Sequence, residues 1–245
     1  MTYCVGLLLE QGLVLASDTR TNAGVDQVAV APKMHVFEQT DERVIVLLTA
    51  GNLAITQSVV NLLSEQLKDP DQDIHLYNVH SMFEAARVVG AAMRDVHDRD
   101  GEALKEHGIE FTASILVAGQ IKGEKPRLFN VYAAGNFIEA TPDTPYLQIG
   151  ETKYGKPIID RVVNYHTDTM EAVKCALISF DSTIRSNISV GLPIDLMIYR
   201  TDSFNTCCRQ RLTEHDPYYA SIRKGWGEGL KNVFSSLPNP DWSTS

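Results

Sequence analysis

A chain of 245 residues with 44% apolar side chains is long enough for one large domain with a substantial core, 1–245. Its formal net charge of −9, with no Lys- or Arg-rich block, disfavours nucleic acid as a partner, and no run of about 18 apolar residues is present to span a membrane. Four cysteines, Cys4, Cys175, Cys207 and Cys208, are too few and too scattered for a disulfide framework or a paired zinc motif, which points to a reducing cytoplasm. His97-Asp98-Arg99-Asp100 is the one metal-like cluster and reads as a solvated helix end, so neither metal nor cofactor is expected. The apolar start lacks a basic leader and is interrupted by Glu10, a pattern unlike a secretory signal.

Tyr3 to Leu9 reads as a buried strand, Gln11-Gly12 as a tight turn and Leu13 to Ser17 as the returning strand. Thr21-Asn22-Ala23-Gly24 has loop chemistry, Gly24 being free to take positive φ. Lys33 to Glu38 and Arg43 to Thr49 form a second hairpin. From Leu53 the apolar spacing turns helical, with Asn52 as N-cap and a stop near Lys68. A longer helix is predicted from Ser81 to His107, closed by Gly108. Two further strands, Thr112 to Ala118 and Arg127 to Ala133, precede a short pairing segment at Phe137 to Ala140. Ile149-Gly150 is taken to open a third helix that runs through Tyr154 to Val163, and Thr169 to Ser186 is a fourth. Leu192 to Thr201 and Cys207 to Leu212 read as strands, Tyr218 to Val233 as a last amphipathic helix, and residues 236–245 as a flexible tail. Strands, helix pair, strands, helix pair, strands is an α+β order, and it fits a four-layer αββα sandwich of two antiparallel sheets between helix layers.

The chemistry lies at the start of the chain. Removal of Met1 leaves Thr2 with both a hydroxyl nucleophile and a free amine. A hydroxyl needs a base, and an α-amine of reference pKa about 7.7–8.0 titrates near enough to neutrality to be one. The first hairpin brings the end of its second strand back to Thr2, so Asp18 and Arg20 fall beside it. A lysine at position 33 supplies positive charge that favours the alkoxide and lowers the amine pKa, while Asp18 keeps that lysine charged. Gly51, at a strand-to-helix turn, offers a backbone N–H to a developing oxyanion. Each residue also has an ordinary reading: Asp18 as a turn former, Lys33 as a solvated strand start, Gly51 as a backbone necessity.

Thr2, Asp18-Thr19-Arg20-Thr21, Gly24, Lys33 and Thr49-Ala50-Gly51 running into a helix together resemble the catalytic β subunits of proteasomes, and most closely the proteasome-related Anbu (ancestral β subunit) group. The resemblance covers nearly the whole chain. It implies the N-terminal-nucleophile (Ntn) hydrolase fold, a threonine peptidase with Thr2 as nucleophile, and assembly into a ring or ring-like oligomer acting on peptides or unfolded polypeptide. It also implies that Arg20 braces Asp18, that Thr21 pairs with the main chain of an extended substrate, and that Thr21, His35, Thr49 and Leu53 line the pocket. Maturation would then be removal of Met1 alone, and an unfoldase partner is left open.

Three features depart from the commonest family pattern. The stretch from Gly24 to Lys33 is one residue short. Glu151 stands where the family carries a supporting serine, and Asn187-Ile188-Ser189-Val190 where it carries an aspartate followed three residues later by a serine. Asn187 brings no carboxylate charge, so Glu151 or Ser189 is the candidate to tune the Thr2 amine. Two other readings stay open: an assembly protein of this fold with little turnover, and an Ntn amidase acting on one small amide.

Overall fold

A computed structural model describes residues 2–23, 27–206 and 208–242. Met1, Gly24, Cys207 and the last residues of the tail, used in the sequence reading, lie outside them. The elements are β1 (Tyr3–Leu9), β2 (Gly12–Asp18), β3 (Arg20–Ala23), β4 (Gln27–Val30), β5 (Met34–Gln39), β6 (Arg43–Gly51), α1 (Leu53–Gln66), α2 (Met82–Glu106), β7 (Ala113–Ile121), β8 (Arg127–Tyr132), β9 (Phe137–Glu139), β10 (Tyr146–Gly150), α3 (Lys156–Val162), α4 (Thr169–Ser186), β11 (Ile194–Arg200), β12 (Arg209–Leu212) and α5 (Pro217–Ser236).

Two five-stranded antiparallel sheets form the middle of the molecule, in the orders β10-β1-β2-β11-β12 and β5-β6-β7-β8-β9. Side-chain alternation sorts their residues into three cores. Cys4 and Leu8 of β1, with Leu15, Val46, Leu48, Leu116 and Leu128, meet between the sheets. Val5, Leu7 and Leu9 face the other way, onto Ala172, Ala176 and Phe180 of α4. On the second sheet Ile45 and Leu47 face α1 and α2. The layers are therefore αββα, as predicted. β1 and β2 are buried on both faces, which is why they carry continuous apolar runs rather than the alternation usual for antiparallel strands.

Helix ends follow the side chains available. Asn52 accepts the Ala54 N–H at 3.0 Å, Ser81 the Glu84 N–H at 3.1 Å and Asp168 the Met170 N–H at 2.8 Å, so each supplies an acceptor to a first-turn donor that has none inside its helix. His97 and Asp98 are exposed on α2, 3.5 Å apart. None of the described helices is long and apolar enough to cross a membrane.

Two expectations need correction. Ile149-Gly150 does not open a helix. These residues end β10, which pairs with β1 in the register Tyr3↔Gly150 and Cys4↔Ile149, and α3 starts only at Lys156, with Pro157 in its first turn. The unpaired edge of β1 outweighs the local pattern, because a buried edge must find a partner for its N–H and C=O groups. Likewise Thr21-Asn22-Ala23 belongs to a small hairpin, β3 with β4, rather than to a loop. Val30, the partner of Arg20, is 57% exposed, so burial at that position does not announce the strand.

Candidate active site

Thr2 precedes β1 at the point where the two sheets meet, and it is 7% exposed. Its carbonyl accepts the Glu151 N–H at 2.7 Å, which ties it to the chain leaving β10. On the other side, the Tyr3 N–H donates to Asp18 Oδ1 at 3.1 Å. Lys33 Nζ donates to that same oxygen at 2.7 Å and to the Arg20 carbonyl at 2.6 Å. One carboxylate oxygen thus links the backbone directly behind Thr2 to a buried ammonium. Lys33 is itself held by β6, whose Thr49 N–H donates to the Lys33 carbonyl at 3.0 Å.

The pair lies deep: Asp18 is fully buried and Lys33 is 4% exposed. Burial raises the Asp18 carboxyl above the usual carboxylate range, and the Lys33 charge and hydrogen bond, with the Tyr3 and Gly191 N–H groups, pull it down only in part. A lysine and an aspartate that have given up water this completely hold their geometry only through each other and the backbone.

Behind them stands a brace. Arg20 Nη1 donates to the Ile188 carbonyl at 3.1 Å, and the guanidinium lies so close over Gly191 that an added Cβ there would meet its Nε at 2.6 Å. Thr19 donates through N–H and Oγ1 to the Pro193 carbonyl, at 3.0 and 2.8 Å. Asn187 ends α4, its Oδ1 accepting the Ser189 N–H at 2.9 Å. Asn187 and Ser189 therefore shape the loop that carries Ile188 to Arg20.

Two glycines close the site. Gly150 has φ +82°, and a Cβ there would lie 1.9 Å from the Thr2 carbonyl oxygen. Gly51 has φ +112°, and a Cβ there would lie 2.3 Å from the Thr112 carbonyl oxygen. No other residue type fits either position, since φ is left-handed and the space is taken by backbone.

Of the residues picked from the sequence, Thr2, Asp18, Arg20, Lys33, Thr49 and Glu151 come together. Thr21 follows Arg20 on β3, half-buried. His35 and Leu53, also half-buried, have no side-chain hydrogen bond to this group among the described residues; burial lowers the His35 imidazole. The Glu151 side chain is 13% exposed, with Oε2 at 3.4 Å from Lys153 Nζ and no hydrogen bond.

What stands behind Tyr3 was not picked out from the sequence. Its buried hydroxyl lies 3.0 Å from Ser179 Oγ on α4 and accepts from Gln148 Nε2 on β10. Burial pushes that hydroxyl's pKa up, so it stays a neutral hydrogen-bonding group. Ser179 sits on the face of α4 that reads as core, and only its hydroxyl in an apolar row could have drawn attention. Among the described residues no three His, Cys, Asp or Glu side chains converge as metal ligands.

A family model described as proteasome subunit matches residues 2–198. A solved Anbu (ancestral β-subunit) from Yersinia bercovieri is 54% identical, with 98% of this chain and 100% of that one covered at TM-score 0.92. A second, described as a helical assembly of the Anbu complex from Pseudomonas aeruginosa, is 46% identical, covering 99% of this chain and 100% of that one at TM-score 0.93. A proteasome subunit beta of Haloquadratum walsbyi is 22% identical over 89% of this chain and 78% of its own length. With the buried Asp18–Lys33 pair set against the residue before β1, between two sheets flanked by helices, these likenesses mean that the chain belongs to the proteasome subunit family, in its Anbu group.

Proposed function

We propose that the protein is a threonine-type peptidase whose nucleophile is Thr2 Oγ once Met1 has been removed. The observation that carries this is the position of Asp18 Oδ1, shared between the Tyr3 N–H and Lys33 Nζ. It fixes a buried positive charge beside the residue that would hold both hydroxyl and amine. Thr2 Oγ attacks the scissile carbonyl while the α-amine takes the hydroxyl proton. The new C–O bond forms, the oxyanion points to the Gly51 N–H, and the C–N bond then breaks as the leaving amine receives the proton held by the α-amine. Water, with the amine again as base, hydrolyses the ester and restores the Thr2 hydroxyl.

An extended peptide fits this centre by main-chain pairing along β3 at Thr21, a sequence-tolerant mode suited to unfolded polypeptide. Thr49, His35 and Leu53 are the proposed pocket residues on that side. The helical assembly described for the Pseudomonas aeruginosa relative supports self-association for this chain too. A reducing, cytoplasmic setting fits the free thiols of Cys4 and Cys175, both buried.

Glu151 and Asn187 favour a second reading, an assembly of this fold with little turnover, because neither supplies the serine and carboxylate of the commoner pattern. Intact mass before and after a peptide epoxyketone separates the two. The peptidase reading requires loss of Met1 and one adduct, mapped to Thr2. A free Thr2 in an intact assembly that takes no adduct would decide for the scaffold.

A further inference from the structure

We propose that Tyr3 is a positioning residue for the nucleophile: its hydroxyl, anchored on α4 and β10, sets where the Tyr3 N–H stands and so where Asp18 and Lys33 meet Thr2; this rests on the peptidase reading.

The strand end needs such an anchor. Sheet pairing reaches no further than Tyr3↔Gly150 on one edge of β1 and Cys4↔Ser17 on the other. Thr2 lies beyond both, tied through its carbonyl to the Glu151 N–H. Tyr3 is therefore the last ladder residue, and the ends of elements are where local opening costs least. Successive side chains of a strand point to opposite faces. Cys4 enters the core between the sheets and Tyr3 the core under α4. Tyr3 is thus fixed in the α4 layer, while it serves the Asp18–Lys33 pair through its backbone.

The hydroxyl chain behind it has one direction. Ser179 Oγ donates to the Ala176 carbonyl at 2.6 Å, which uses its only proton. At the 3.0 Å contact between the two hydroxyls Tyr3 is then the donor. Its oxygen remains open to the Gln148 Nε2 donor. The chain runs from β10 through Tyr3 to α4 with every proton placed, and a buried polar chain satisfied in full rigidifies what it joins.

The ring has little slack. Its centroid is 4.6 Å from that of Phe180. A Cβ on Gly155, directly ahead of α3, would come within 2.4 Å of the Tyr3 hydroxyl oxygen and 3.0 Å of Ser179 Cβ. Phenylalanine in place of Tyr3 fills the same apolar space but loses the bonds that set how deep the ring sits. A shift of the ring reaches the chemistry by a short path, because the Tyr3 N–H, Asp18 Oδ1 and Lys33 Nζ are joined by bonds of 3.1 and 2.7 Å.

The test is epoxyketone adduct formation at Thr2, resolved into a maximal rate and a half-saturating concentration, with loss of Met1 checked by intact mass. Tyr3→Phe should lower the maximal rate about 10- to 100-fold, the scale on which small misplacements act, and leave the half-saturating concentration unchanged. Ser179→Ala should do the same, and the double variant should fall no further, because both changes remove one bond. Gly155→Ala keeps every hydroxyl but crowds this one, and it should also slow the maximal rate. Asp18 should titrate at higher pH in Tyr3→Phe, since the Tyr3 N–H is among the groups that lower it. Val173→Ala, in the same core, is the control, with a lower melting temperature and an unchanged rate expected. Wild-type maximal rates in Tyr3→Phe and Ser179→Ala overturn the positioning role and leave the nucleophile standing. The same holds if Val173→Ala loses as much rate, since stability alone is then being read. A wild-type Thr2 that takes no epoxyketone removes the peptidase reading, and the positioning role goes with it.

Discussion

The two flanks of Thr2 are built from opposite materials. On the β2 and β5 side, a carboxylate, an ammonium and a guanidinium fix position by charge and hydrogen bond: Asp18 to Lys33 at 2.7 Å, Lys33 to the Arg20 carbonyl at 2.6 Å, and Arg20 to the Ile188 carbonyl at 3.1 Å. On the β7 and β10 side the cleft lined by Gly51 and Gly150 carries no charged residue. Position there is fixed by removing side chains, with Gly150 and Gly51 letting backbone come within reach of backbone. In the proposed mechanism the charged flank sets the electrostatics of the nucleophile, and the glycine flank sets where its carbonyl partner can lie.

Removing the lysine breaks the first flank most completely. Lys33→Ala should lower the rate of epoxyketone adduct formation at Thr2 by at least about 10²–10³-fold, the scale of losing one preorganised electrostatic group. Leaving a buried charge unpaired costs on the order of 3–5 kcal/mol. Asp18, already raised by burial, escapes that by taking up a proton, so the variant should remain folded by circular dichroism. Retained reactivity would sink the role given to Lys33.

Gly150→Ala attacks the other flank. The left-handed φ alone costs about 1–3 kcal/mol, and the new Cβ must move the Thr2 carbonyl from which it would lie 1.9 Å. Expected are a lower melting temperature and a loss of adduct formation about as large as that of Lys33→Ala, although no charge has changed. A variant with wild-type reactivity would mean that the glycine flank is only scaffolding.

The smallest effect sharpens the charged flank through pH. Because the Asp18 carboxyl is raised in the folded state, this group's contribution to stability is full below its unfolded pKa and falls as pH climbs through the folded one. Reactivity moves oppositely, since an ionised Asp18 is needed to hold Lys33. Adduct formation should therefore show a second acid titration besides that of the α-amine, lying above the usual carboxylate range, and Asp18→Asn should remove it. A second titration inside the ordinary range would contradict the burial argument.

Much of this was legible in the residues. The apolar runs at Tyr3 to Leu9 and Leu13 to Ser17 set the first hairpin, and its length alone brought Asp18 to the start of β1. The helix from Thr169 to Ser186 is observed at those bounds, because its apolar period, an Asp168 cap and a following turn all agree. Asn52 and the step from β6 into α1 were readable for the same reason: each depends on neighbours within a few residues.

What the tertiary structure alone decided depends on distant partners. Ile149-Gly150 became the end of a strand because β1 had an edge to fill. The β3–β4 hairpin pairs Arg20 with Val30, which is 57% exposed, so no burial at that pair marked the strand in advance. Tyr3 meets Ser179 across a separation of 176 residues. A local pattern states what a segment prefers. Which edge is left unpaired, which partner meets the buried Tyr3 hydroxyl and where glycine backbone comes up to Thr2 are settled only when separate segments satisfy each other's backbone and polar groups.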